Sequence, residues 1–351
     1  MSKSKGKVKI MPHGIIKLKE KIRVISRASV AGREEYKGPL GGSFDVTDTE
    51  DDSFGMDTWE KAESEMQRLA LGRALEKSRL TVDDIDAMFA GDLLNQCVGS
   101  NYGLTDYKIP YFGLYGACST AAEGMLLASL ACSVRPSRYA AVTSSHYCSA
   151  ERQFRFPLEY GGQRTPTSQW TVTGSGAFIL SSVETDRAEG AFTPCVTELL
   201  PGYVTDRGIN NVNNMGAAMA PAAADTLFRY FKEGDSPDSF DMIITGDLGR
   251  EGSAILTELL SSEGIDITKR HVDCGCMIYN ADSSDKHAGG SGCGCSAVVM
   301  ASNILAGIEN GTIRNILFVG TGALMSPLVL NQGSTIPGIG HLIHIVGEEN
   351  E

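Results

Sequence analysis

Two kinds of hydrophobic pattern alternate along the chain. Short runs that are apolar throughout, "IDAMFAG", "YAAVTSS", "SGAFILSS", "FDMIITG", "SAVVMAS" and "NILFVGTG", read as strands covered on both faces. Strands of that kind belong to a largely parallel sheet in an α/β fold. Between them lie stretches with helical spacing. In "TWEKAESEMQRLALGRALEKSRL", Met66, Leu69, Ala70, Leu71, Ala74 and Leu75 share a face and acidic residues fill the first turn, which predicts an amphipathic helix. Residues 31–55 are Gly-rich, acidic and without period, so an excursion over the surface or into a partner subunit is expected there.

The pattern repeats. "DAMFAGDLL" from Asp86 matches "DMIITGDLG" from Asp241, pairing Gly91 with Gly246 and Asp92 with Asp247. Further on, "GACSTAAEGMLLASLACSVRPSRYAAVTSS" and "GSGCGCSAVVMASNILAGIENGTIRNILFVGTG" each read as small-residue turn, helix, basic loop and strand. Setting Ala128-Ser129 against Ala301-Ser302 places Cys118 opposite Ser291. The repeat predicts two βαβ-rich halves, residues 1–185 and 186–351, joined within Ser182 to Gly190 and packed about a pseudo-twofold with their turns facing at the centre.

Composition then narrows the class. With 351 residues and 42% apolar content, the chain can bury a large core. No apolar run approaches the ~20 residues of a bilayer span, and "MSKSKGKVKIMPHG" lacks the apolar centre of a secretory signal, so an intracellular, soluble protein is expected. Nine cysteines, an odd number, fit free thiols in a reducing compartment. The net charge is −12, and the first 23 residues carry seven Lys and one Arg against one Glu, leaving −19 on the remainder. An acidic body argues against nucleic acid. The basic start suits either the solvated face of a first strand or a contact with an anionic membrane or partner.

Candidate chemistry centres on Cys118 in "GLYGACSTAAEGM", a thiol set before an Ala-rich helix, whose N-terminus favours negative charge. His146, at a strand end, and His287, before the glycine turn, are candidate bases or ligand contacts. Arg152, Arg155, Arg164, Arg207 and Arg250 are the cationic candidates for an acidic ligand, with Arg164 and Arg250 preferred; a solvated surface role competes for each. The "CGC" pairs Cys274/Cys276 and Cys293/Cys295 lack the usual C-x2-C spacing of structural zinc, and packing beside glycine is the simpler role, so no metal is expected.

Several long strings carry a family resemblance. The duplicated unit, the "GACS" turn, "VTGSGAFILSS" and the final "GTGA" resemble the thiolase fold of ketoacyl synthases and thiolases. "GACSTAAEGM", "SSHYCSAERQFRFPLEYGGQRTPTSQWTVTGSGA", "DCGCMIYN" and "DKHAGGSGCGCSAVV" resemble, more closely, the stage V sporulation protein AD family of spore-forming bacteria. The resemblance implies a thiolase-like α/β fold, two pseudo-symmetric halves in a layered α/β/α/β/α sandwich, and a homodimer. It further implies a role in spore formation and germination, binding of dipicolinic acid (pyridine-2,6-dicarboxylate) or its calcium chelate, and transport into the developing spore with membrane proteins of the same system, at the inner membrane. No cofactor is implied.

The chain departs from the condensing relatives where their chemistry resides. Asp247 stands where a His is usual, Ser291 where an Asn is usual, and Ser175 where an Asp is frequent. An anionic Asp247 beside the thiol would disfavour its nucleophilic form. Cys118, His146, Asp92, Asp247, Arg250, Ser291 and Arg164 are therefore expected to line a binding pocket. The rival reading is a Cys118-dependent acyltransferase or 3-ketoacyl synthase-like enzyme, with His146 or His287 as base; a third is a scaffold docked through its basic N-terminus.

Overall fold

The computed structural model describes residues 8–10, 14–154, 164–184, 190–233, 235–280, 283 and 285–350. Arg155 and the expected boundary at 185/186 fall outside them. The strands of the first half are β1 (Val8–Ile10), β2 (Ile16–Ala31), β3 (Val46–Thr47), β4 (Ala87–Gly91), β5 (Tyr111–Leu114), β6 (Arg138–Ser145), β7 (Trp170–Thr171) and β8 (Gly174–Ser181). Those of the second are β9 (Phe192–Leu200), β10 (Met242–Thr245), β11 (His271–Asp273), β12 (Gly290–Ser291), β13 (Asn315–Ala323) and β14 (Gly338–Glu349).

The main sheet runs β11-β10-β13-β14-β9-β2-β8-β6-β4-β5. Read outward from the centre, β2-β8-β6-β4-β5 and β9-β14-β13-β10-β11 have the same order, and the two first strands pair antiparallel at the join. Along this path pairing is parallel among β4, β5 and β6 and among β10, β11 and β13, while the two-residue β3 lies parallel beside β2 and the separate pair β7–β12 is parallel as well. The long strands β2, β8, β9 and β14 run antiparallel to their neighbours along the path, so the sheet is mixed where a largely parallel one was expected.

Matching aspartates fix the repeat in space. The Asp86 amide donates to the Arg138 carbonyl and the Asp241 amide to the Asn315 carbonyl, at 2.9 and 2.8 Å, while their carboxylates accept the amides of Arg138 and Asn315. Each therefore pins the first residue of the neighbouring parallel strand.

The helices supply the layers. Thr58 caps the predicted amphipathic helix, Trp59–Ser78, which buries Met66, Ala70, Leu71, Ala74 and Leu75 against β2, β6 and β8. Its twin, Met215–Phe231, covers β13 and β14 from outside, and Gly249–Ser262 packs on it. Between the half-sheets lie Thr120–Val134 and the helical run Cys293–Glu309. Residues Ala117–Val134 are long and apolar enough to cross a membrane by composition alone, yet in this fold they contact both half-sheets. "SAVVMAS", read above as a strand, lies in the second central helix. Apolar contacts on every side erase the helical period, so the sequence pattern cannot separate it from a buried strand.

Residues 31–55 form a strap. It runs over the surface of the first half and then touches the second, where Gly38 sits so close to the Ile278 carbonyl that a Cβ would come within 2.1 Å of it.

Candidate functional site

The turn before the central helix is bent by its backbone. Ala117 has φ 52°, in the left-handed region that non-glycine residues rarely enter, and this lifts Cys118 to the start of the helix. Cys118 opens onto a cavity of about 270 Å³ lying between the halves. Asp247, Ser291, Thr171 and Glu151 supply its polar wall; Leu93, Ala150, Phe154, Met215, Leu324 and Met325 supply most of the apolar one. The structure thus brings together Cys118, Asp247 and Ser291, three of the residues named from sequence.

Asp247 follows β10 and lies almost wholly buried. One carboxyl oxygen accepts Thr321 Oγ1 at 2.8 Å and the other the Gly292 amide at 2.9 Å, while the Cys118 thiol also donates to the group. Burial pushes its pKa up to about 7 against the pull of these donors. The Cys118 thiol is pushed well above its ordinary value, first by burial and then by the Asp247 charge. At neutral pH the site therefore holds a protonated thiol beside a half-ionised carboxyl.

The other expected residues go elsewhere. Asp92 is fully buried, its carboxylate accepting the amides of Leu94 and Ser100 and the Ser100 hydroxyl. His146 is also fully buried: Nδ1 accepts the Cys148 amide, so Nε2 carries the proton and donates to the Asp52 carbonyl at 3.0 Å, and the ring packs on Trp59. Burial lowers its pKa and keeps it neutral. His287 stands outside the cavity, 4.0 Å from the Asp285 carboxylate. Arg250 is exposed at the start of its helix and is not part of the lining. Arg164 stands one residue behind the wall, 3.0 Å from Glu151, with its guanidinium over the stacked rings of Tyr147 and Trp170. Of the "CGC" cysteines, Cys274, Cys293 and Cys295 are core residues and Cys276 is exposed; among the described residues no three metal-ligating side chains gather.

The residue that takes the place of Cys118 in the second half is Cys293 rather than Ser291. Gly322 of β13 backs onto Ser119, and in the first half Ser145 of β6 backs onto Gly294, accepting its amide at 3.1 Å. The alignment through Ala128-Ser129 is two residues out. Cys293 is sealed, its thiol donating to the Ser144 carbonyl, and Glu63 and Gln67 fill the space near it through bonds to Ser144. The twin helix, Met215–Phe231, has no acid in its first turn, and there Met215 lines open space instead. Glu151, Met215, Leu324 and Met325 carry no chemical signature in the sequence, and Leu93 is marked there only by lying inside the repeated string "DAMFAGDLL".

Residues 13–346 match the model of the family Stage V sporulation protein AD. The chain is 44% identical over 322 residues to Stage V sporulation protein AD of Bacillus subtilis (strain 168), covering 91% of this chain and 93% of that protein. Among solved structures, similar folds include 3-oxoacyl-[acyl-carrier-protein] synthase III of Aquifex aeolicus VF5 (TM-score 0.54, 11% identity, 93% of this chain and 99% of that one). Another is a variant of Xanthomonas campestris OleA with bound lauric acid and lauroyl-CoA (TM-score 0.57, 12% identity, 93% and 99%). Those two likenesses establish a thiolase-like fold, and the family match establishes the rest: the chain belongs to the stage V sporulation protein AD family.

Proposed function

We propose that the Cys118 cavity binds pyridine-2,6-dicarboxylate, free or as its calcium chelate, and that the protein helps move it into the developing spore with membrane proteins of the same system. The observation that carries this reading is the pairing of Cys118 with Asp247 in place of a histidine, which holds the thiol in its protonated form and supplies no imidazole for carbon-carbon bond formation. Size supports it too: about 270 Å³ lies near the lower end of ligand pockets, ~300 Å³, and suits one ring better than a long chain. The charge of the wall bears on the form bound. Asp247 and Glu151 are acids and Arg164 is engaged behind Glu151, so the uncharged one-to-one chelate meets less repulsion than the dianion. A homodimer and a peripheral position at the spore inner membrane belong to the same proposal, by family resemblance.

Titration calorimetry with pyridine-2,6-dicarboxylate, with and without calcium, tests it. Saturable binding that weakens in Cys118→Ala and Ser291→Ala, and persists in folded His146→Ala, is expected. No saturable binding, or binding indifferent to both cavity variants, removes the proposal. A second reading, acyl transfer, is favoured by the strained Ala117 turn that presents the thiol. Incubation with acyl thioesters followed by intact-mass measurement decides it, since a Cys118-dependent adduct would carry that reading.

A further inference from the structure

The strap holds a buried acid with half of its carboxyl unsatisfied. Glu35 is fully buried; its Oε1 accepts the Tyr279 hydroxyl and the Thr173 amide, while Oε2 has no hydrogen-bond partner among the described residues. An ionised carboxylate in that position would leave charge on a dry, unpaired oxygen, a cost of several kcal/mol. What Oε2 does face is a second carboxyl. A Cβ on Gly32 would lie 2.9 Å from Glu35 Oε2 and 2.5 Å from Asp52 Oδ1, so both oxygens crowd the space that glycine leaves empty. Asp52 is turned inward by a left-handed backbone, φ 65°, and its Oδ1 accepts the Arg33 amide.

We propose that Glu35 and Asp52 share one proton, the Glu35 hydroxyl donating to the Asp52 carboxylate, and that this bond is a pH-operated clasp closing the strap onto both halves of the molecule. The clasp spans distant elements. Glu35 reaches Thr173 beyond β7 and Tyr279 of the second half, while the Asp52 carbonyl holds His146. Thr171 and Ser291, paired across β7 and β12, line the cavity, so the clasp braces one of its walls. The charged and titratable groups around the pair are Glu34, Arg33, Asp48, Tyr279, His146, Cys148 and Lys286. Lys286 is committed to Glu34, 2.8 Å away, and does not neutralise Glu35. Loss of the shared proton leaves two anions against each other, and the strap opens as pH rises.

Hydrogen exchange of the ligand-free full chain, corrected for intrinsic exchange rates, reads this directly. If Glu35 titrates near 7 when clasped and at its ordinary 4.5 when released, protection of amides 32–52 and of Thr173 falls about ten-fold between pH 6 and pH 9. In Glu35→Gln, whose amide can donate to Asp52 at any pH, the fall disappears while the strap stays protected. Asp52→Asn removes the second charge and makes the slope shallower, burial still holding the Glu35 proton, which keeps the test open if the Gln variant does not fold. Protection in the wild type that is flat with pH, a slope that survives in Glu35→Gln, or one unchanged in Asp52→Asn, overturns the proposal. So does protection restored at pH 9 by calcium, which would make the shared species a metal ion.

Discussion

Asp247→Asn separates the charge of the cavity carboxyl from its shape, and its effect should depend on pH in a defined direction. Asp247 has a folded pKa of about 7 against an ordinary 3.8. Because the folded state binds the proton more tightly, the wild type is relieved of the cost of a buried anion at low pH and bears all of it above 7. The full span, from 3.8 to about 7, is worth about 4 kcal/mol. Between pH 5 and pH 8 about 3 kcal/mol of it should appear. Asparagine keeps an acceptor for Thr321 but presents N–H groups where Gly292 donates, a constant cost of about 1–3 kcal/mol. The variant should therefore gain about 3 kcal/mol on the wild type between pH 5 and pH 8, and be level with it or more stable at pH 8. Urea unfolding of both proteins at the two pH values measures this. Profiles that stay parallel to within about 1 kcal/mol would refute the claim that a buried, proton-binding carboxyl faces Cys118.

Two further outcomes follow from the same geometry. Mass-mapped alkylation at pH 7.5 should leave Cys118 largely unmodified, because burial and Asp247 hold it as a thiol, and Asp247→Asn should speed its labelling; rapid labelling in the wild type would contradict that. Gly320→Ala should cost at least about 2 kcal/mol by urea unfolding, because the new Cβ would come within 2.4 Å of Ala122 Cβ where strand meets central helix; a loss under about 1 kcal/mol would show that the two layers can part.

Periodicity made the doubling of the fold legible. Asp86 and Asp241, found as letters in a repeat, prove to hold equivalent strands with the same two contacts. The central helix of the second half was not legible, because a segment buried on all sides loses the period that marks a helix. Site residues divided along another line. Cys118 and Asp247 lie at turns that the fold itself drives to the centre, so their positions in the repeat located them, whereas Ser291 lines the cavity two residues away from the true match of Cys118. His146, His287 and Arg250 were chosen by side-chain type near such turns, and type does not say which way a side chain points: His146 is turned into the strap by the carbonyl of Asp52. Asp92 shows the limit of the repeat argument. It equals Asp247 in sequence, yet its carboxyl is used up by Leu94 and Ser100.

That inequality explains why, in a pseudo-symmetric molecule, a cavity opens at Cys118 while Cys293 is sealed. The two thiols, Cys118 and Cys293, occupy matching places, and each is near an acid from the opposite half. Around Cys293 the Trp59–Ser78 helix inserts Glu63 and Gln67, whose bonds to Ser144, Ser149 and Ser100 close a polar network with no room for a ligand. Burial and the neighbouring Asp92 push the Glu63 carboxyl up, which favours a proton shared within this network and lowers its charge penalty. Around Cys118 the corresponding helix opens with Met-Gly-Ala-Ala, which offers no polar side chain to fill the space. The cavity is thus the unfilled member of a pair. Its acid faces a thiol and open volume as well as Thr321 and the Gly292 amide, and that difference is what would put Asp247, and not Asp92, beside the ligand proposed above.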